Sequence, residues 1–233
     1  LGGLAGLAGV DLGSMKTNNT QLAIELMRSR SFLYSFIERN ELAKYLLAYD
    51  YYDEDTGKVV FDSNLYKDGQ WVRNVEPPRT VEPQPWEAYG ELLDRLSIVH
   101  DATKGIVTVE LSYIDPNLAA QWLKDLVNEI NNVMRARESE QVSESIQYLS
   151  ERAEQADYAE LKTALYNLLQ EQYKKDMLIA VKDDYVFEVV DPAQPPHFAD
   201  GLPIALWFVV GFVLAGFVLL FINILRSYEL SEQ

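Results

Sequence analysis

The chain has 233 residues and no cysteine, with 36 acidic against 20 basic residues for a formal charge of −16. That length suffices for one substantial core or two small ones, and the missing cysteine excludes both a disulfide scaffold and a thiol nucleophile. Before residue 202 stand 34 acidic and 19 basic residues, a formal −15, and a field of that sign repels nucleic acid and anionic headgroups.

Residues 1–9 read LGGLAGLAG, apolar and rich in glycine, too flexible for a helix and too greasy for an ordinary linker. With no initiating methionine at this start, a further membrane helix of about 20 apolar residues is expected before Leu1. From 19 to 48 apolar residues recur at helical spacing (Leu22, Leu26, Phe32, Phe36, Ile37), with an interruption at 29–31, which predicts two short helices. The texture then changes to turn signals: Thr56-Gly57, Asp68-Gly69, and prolines at 77, 78, 83 and 85 around a β-prone run at 59–61. Residues 86–96 are again helical. Gly105 opens a run in which Val107, Val109, Leu111 and Tyr113 alternate with Thr108, Glu110 and Ser112, the period of a half-buried strand.

Asp115-Pro116 follows with the chemistry of a helix start, because the carboxylate accepts from free amides and proline fits the first helical position. No glycine or proline then occurs before Pro192. As one ideal helix, residues 116–181 would reach about 100 Å. A broad apolar stripe (Ala119, Trp122, Leu123, Leu126, Ile130, Val133, Met134) predicts seating on a sheet. Beyond 135–141 the stripe narrows to Val142, Ile146, Leu149, Ala153 and Ala156, the 4-3 spacing of a coiled-coil seam. Residues 185–190 read as a second strand, so the chain must return. A helical hairpin is expected, bending within 150–159 and returning through Leu161, Leu165, Leu168, Leu169 and Tyr173. The two strands are then expected to share one sheet, since separation would leave their backbone groups without partners.

Residues 202–225, LPIALWFVVGFVLAGFVLLFINIL, carry no charge and are long enough to cross a hydrocarbon core of roughly 30 Å. Arg226 follows, while Asp191 and Asp200 precede. Positive-inside bias places the tail 226–233 in the cytoplasm and the preceding domain outside. In this span Gly211, Ala215 and Gly216 form a small-residue face suited to helix packing.

Four stretches, LGGLAGLAG at 1–9, GIVTVELSYIDPNLAAQWLKDLVNEIN at 105–131, MLIAVKDDYVFEVVDPAQPP at 177–196 and the terminal span, give the chain an order and spacing that resembles the Wzz, or chain-length-determinant, family of polysaccharide co-polymerases. The family-motif positions are Gly2, Gly3, Gly6, Gly9, Asp115, Pro116, Asp191, Pro192, Pro195 and Pro196. The family's first membrane helix is expected before Leu1, and the chain departs from the family in following its proline segment with His197, Phe198, Ala199 and Asp200 instead of basic residues. The resemblance implies an α+β fold. Residues 1–115 and 182–201 would form a membrane-proximal periplasmic α/β base, 116–181 a long projecting helical hairpin, 202–225 the membrane helix and 226–233 the tail. It further implies an inner-membrane protein with most of its chain in the periplasm, a homo-oligomer forming a ring or bell, octamer-like. Its partners would be an integral-membrane polymerase, lipid-linked polysaccharide and membrane lipid, and no nucleic acid. The implied role is control of the chain length of O-antigen or a similar surface polysaccharide, without catalysis and without a cofactor.

No G-x-S-x-G, P-loop, H-E-x-x-H or dinucleotide fingerprint occurs, and His100 and His197 have no metal-spaced companions. Asp53, Glu54 and Asp55 beside Thr56-Gly57 read as a solvated turn, and Asp183 and Asp184 as a polar helix end. The oligomer or helix-packing candidates are Trp122, Val142, Ile146, Leu149 and Ala153, with Gly211, Ala215 and Gly216 in the membrane; Trp122, Tyr148, Tyr158 and Tyr173 are large residues that a narrow seam cannot shield in a monomer, the other place for them being within the hairpin itself. A structural periplasmic adaptor of an export assembly is the alternative, disfavoured by the absence of β-rich modules flanking the helices.

Overall fold

Ser29 ends one helix and starts the next. Its backbone is extended (φ −69°, ψ 146°) and its hydroxyl accepts the Phe32 amide at 3.3 Å, which caps the second helix. The helical spacing at the start of the chain accordingly gives α1 (Leu12–Arg28), α2 (Arg30–Arg39) and α3 (Leu42–Leu47), one helix more than the spacing predicts. The break between α2 and α3 falls at Glu41, whose backbone is left-handed. This computed structural model describes residues 12–182, 184–195 and 212. Leu1–Pro195 forms one unit and Pro196–Gln233 another. Gly2, Gly3, Gly6, Gly9, Pro196 and His197 lie outside the described residues, as do Asp183, the apolar span 202–225 save for Phe212, and the tail. Among the described residues no helix is long and apolar enough to cross a membrane.

The turn-rich stretch folds into two hairpins, β1 (Tyr49–Asp53) with β2 (Lys58–Phe61), and β3 (Tyr66–Lys67) with β4 (Gln70–Trp71). The acidic cluster is the first turn. Asp53 accepts from the Thr56 hydroxyl at 2.7 Å and from the Asp55 amide at 3.0 Å, and Gly57 supplies the left-handed φ of +64° that closes the loop. These bonds, the Thr56 hydroxyl foremost, hold the Asp53 carboxyl below its ordinary pKa.

Residues 72–84 have little apolar content of their own and are organised around Arg73 instead. Its guanidinium donates to the carbonyls of Val81 (2.8 Å) and Thr80 (2.7 Å) and forks onto both Glu87 oxygens at 2.7 and 2.8 Å. Glu87 lies in the first turn of α4 (Pro85–Arg95) and also accepts the Gln84 amide at 3.0 Å. Both charged side chains are buried.

From α4 the chain passes directly into β5 (Leu96–Asp101), which pairs antiparallel with β6 (Ile106–Leu111) through six registered positions, Leu96 opposite Leu111 and Asp101 opposite Ile106. The sequence predicts a helix to 96 and no strand before Gly105, because Leu-Ser-Ile-Val-His shows too short an alternation to separate from a helix end. The partner of β6 is thus β5 and not residues 185–190, which form no strand. The physical reason is proximity: a tight turn at 101–105 closes on Gly105 at φ +67°, with the Asp101 carboxylate accepting the Thr103 and Lys104 amides at 3.0 and 3.1 Å.

Two long helices follow, α5 (Pro116–Glu154) and α6 (Ala159–Val181). Asp115 caps α5 by accepting the Asn117 and Leu118 amides at 2.9 and 3.2 Å, and proline occupies the first turn. Asp115→Ala is expected to lower stability by about 0.5–2 kcal/mol, read from chemical denaturation. An unchanged midpoint would remove the cap from the account of where α5 begins.

The described part of the chain is a mixture of helices with small sheets, of the α+β class. One core joins the elements: Ala23 and Met27 of α1, Phe36 and Ile37 of α2, Leu42 of α3, Leu92 of α4, Ile98 of β5, and Trp122, Leu126, Ile130 and Met134 of α5. Val109 and Phe187 both pack on it. Residues 185–187 therefore return to the same core as β6, by side-chain packing and not by strand pairing.

Candidate functional site on the paired helices

The first half of α5 is seated by its broad apolar stripe. Ala119, Trp122, Leu126, Ile130 and Met134 recur at three- and four-residue steps and are all buried. Trp122 sits among rings, 5.5 Å from Tyr45 and 4.7 Å from Tyr113, and Tyr113 continues to Tyr49 at 6.1 Å. The Tyr113 hydroxyl donates to the Tyr45 carbonyl at 2.8 Å, and burial pushes its pKa well above the ordinary tyrosine value. Trp122, an oligomer or helix-packing candidate, is part of the chain's own core.

Asn131 lies one residue past Ile130 on the same helix and is buried. Its side-chain amide donates to the Phe187 carbonyl at 2.8 Å, and its carbonyl oxygen accepts the Val186 and Phe187 amides, both at 2.9 Å. One side chain thus supplies the backbone partners that a neighbouring strand would give. Nearby, burial and the Glu138 carboxylate push the Tyr185 hydroxyl up to about 12.

Past Met134, α5 packs on α6. The helix breaks at 155–158, and the contacts run antiparallel: Glu138 pairs with Lys175, and Ser150 lies beside Tyr166 and Leu169. Val142 and Ala153 are buried, as are Leu169 and Ile179 on α6, and Ile146 and Leu149 are half-buried. The narrow stripe on α5 lies on the helix that α6 covers, so its burial is supplied at least in part within one chain. On α6, Leu165 is half-buried while Leu161, Leu168 and Tyr173 of the predicted inward stripe are exposed.

The helix pair carries a concentration of exposed apolar side chains: Tyr148, Tyr158, Tyr166, Tyr173, Met177 (64%) and Val181 (83%) among them. Two shallow grooves run beside the pair. One is bordered by Glu144, Ser145, Tyr148, Gln172 and Lys175, the other by Ser150, Tyr166, Tyr173, Lys174 and Met177. At 3.6 residues per turn these sets lie on opposite flanks of each helix, one on either side of the line along which α5 and α6 meet.

Asp115 and Pro116 act at the start of α5, and Asp191, Pro192 and Pro195 follow the Asn131-held segment within the exposed 188–195 stretch. Gly211, Ala215 and Gly216, expected to pack in the membrane, fall outside the described residues. Sequence reasoning missed Asn131, Arg73 and Glu87. The available signals were an asparagine abutting a core stripe, and a lone arginine in a proline-rich excursion with no apolar core of its own. Among the described residues no group of three His, Cys, Asp or Glu side chains is placed to hold a metal ion. In comparisons with known proteins, no family model and no curated sequence matches the chain.

Proposed function

We propose that this chain is an inner-membrane regulator of polysaccharide chain length, a non-catalytic homo-oligomeric scaffold on the periplasmic face that acts on a separate polymerase. The observation that carries the reading is the order of parts. A mixed helix and strand core is followed by a capped 39-residue helix, a returning helix and a segment tied back to that core by Asn131. That order matches what the resemblance in residues 105–131 and 177–196 implies, with the helix pair as a projecting hairpin and the core as its base. The uncharged stretch 202–225 supports a membrane anchor directly after the returning segment. The exposed tyrosines and Met177 on the helix pair support association, since apolar surface of that kind marks an interaction site.

Deleting the gene and resolving the surface polysaccharide on a gel tests the proposal. Loss of a preferred length, with polymer still made and displayed, is expected. Loss of export with length distribution intact would indicate the adaptor role, and loss of one specific linkage would indicate an enzyme; either would overturn this reading.

A further inference from the structure

On α6, Tyr166, Gln170, Tyr173, Met177 and Val181 follow one another at steps of four, three, four and four residues, and all five are exposed. This is a seam of coiled-coil type, about 22 Å long at 1.5 Å per residue. One position on it carries redox chemistry. Of the chain's four methionines, Met27 and Met134 are 0% and 3% exposed in the core, Met177 is 64% exposed on the seam, and the side chain of Met15 lies outside those described. Met177 borders the shallow groove shared with Ser150, Tyr166, Gln170, Tyr173 and Lys174, so a molecule as small as hydrogen peroxide reaches its sulfur from solvent. The chain has no cysteine, and without a thiol to compete, an accessible thioether is the group that a mild two-electron oxidant attacks.

We propose that Met177 is a modification site, oxidised to the sulfoxide by peroxide-class oxidants, and that its oxidation switches the α6 seam from apolar to polar. The sulfur lone pair attacks one oxygen of hydrogen peroxide, and the O–O bond breaks as the S–O bond forms. The departing hydroxide takes the proton of the transferred oxygen, so the products are methionine sulfoxide and water. Sulfur loses two electrons and the peroxide gains them. The thioether is a weak acceptor, whereas the sulfoxide is a polar group, and it stands between Tyr173 and Val181, one turn from each. The seam is thereby interrupted in its more exposed half. Leu169 and Ile179 supply the buried side of α6, so the change falls on the surface without opening the helix pair. Sulfoxide reductases restore the thioether, which makes the switch reversible.

The effect on length control rests on the scaffold reading proposed above, while the site itself is tested without it. The full chain in detergent is treated with limiting hydrogen peroxide and its peptides are weighed over time. Met177 is expected to gain oxygen more than about ten-fold faster than Met27 and Met134, which react only when the core opens, and the order is expected to vanish in denaturant. Met27 or Met134 keeping pace with Met177 in the folded chain overturns the site. In cells, peroxide is expected to shift the length distribution of the surface polysaccharide, Met177→Leu to abolish that response, and Met177→Gln, polar without oxidation, to show the shift with no oxidant. A response that persists in Met177→Leu, or a distribution that neither peroxide nor Met177→Gln alters, overturns the switch. A gene deletion that leaves the distribution unchanged overturns the scaffold reading instead, and the order of oxidation in the isolated chain still decides the site.

Discussion

Asn131→Leu is expected to release the returning segment from the core. The side chain is nearly the same size, so the cavity term is small, but three backbone groups lose their partners at once: the amides of Val186 and Phe187 and the carbonyl of Phe187. Each buried group left unsatisfied costs about 1–3 kcal/mol, so if the segment stayed in place the loss would be several kcal/mol. The segment is bounded by exposed residues from Glu188 onward, and the cheaper response is for 185–190 to peel away and rehydrate. Hydrogen exchange is then expected to show loss of protection at Val186 and Phe187 far beyond any change in α1 to α4. Asn131→Asp keeps an acceptor for the two amides but sets a carboxylate against the Phe187 carbonyl, so a smaller loss of protection is expected. Protection at 186–187 surviving in Asn131→Leu would mean that the packing of Tyr185, Val186 and Phe187 alone holds the segment. In the proposed scaffold this clamp joins the long helix to the stretch leading toward the anchor, so the same variant tests whether length control depends on that joint.

How much of this was legible beforehand follows from the range of the interactions involved. The Asp115-Pro116 start of α5 is local chemistry, cap and first turn within four residues, and the sequence shows it plainly. The apolar stripe from Ala119 to Met134 is periodic over four turns and equally plain. The turn at Asp53 to Gly57 is again a short-range pattern. By contrast, the partner of β6 depended on whether a six-residue run beginning at Leu96 extends a helix or opens a strand, and Ser97 and His100 favour neither. Residues 185–190, with Val186, Phe187, Val189 and Val190, have strand composition, yet pairing is decided by which edge is within reach, and an asparagine 55 residues upstream supplies the hydrogen bonds. Seams are ambiguous for the same reason. The 4-3 spacing at Val142 to Ala153 marks a helix-facing surface, but not whether the covering helix belongs to the same chain. Here α6 packs on α5, and the seam of α6 left exposed, Tyr166 to Val181, is less apolar because tyrosine, glutamine and methionine compose it.

The second large effect is expected at the Arg73–Glu87 pair, where pH supplies a signature that simple loss of packing would lack. Arg73→Met removes the side chain around which 72–84 is organised: the fork onto Glu87 and the bonds to the Thr80 and Val81 carbonyls. It leaves a buried carboxylate with only Arg79, 3.7 Å away and exposed, as a cationic neighbour. Breaking a buried pair from one side costs about 3–5 kcal/mol. Arg73→Lys is expected to recover only part, because an ammonium cannot reach two carboxylate oxygens and two carbonyls from one plane. In the unmodified chain the hydrogen bonds from Arg73, more than any other contact, hold the Glu87 pKa below its ordinary value. A carboxyl depressed on folding contributes stability that is fully present above its unfolded pKa, near 4.5, and lost as pH falls through the lower folded value. The gap between the unmodified chain and Arg73→Met is therefore expected to be widest at neutral pH and to narrow as the solution is acidified below about pH 4.5. Replacing both partners, as in Arg73→Met with Glu87→Leu, removes the stranded charge and is expected to be less destabilising than Arg73→Met alone. Denaturation midpoints measured from neutral to acidic pH on the three variants settle the matter: a gap independent of pH, or a double variant worse than the single by the full cost of a second lesion, would show that Arg73 serves by packing and not by its charge.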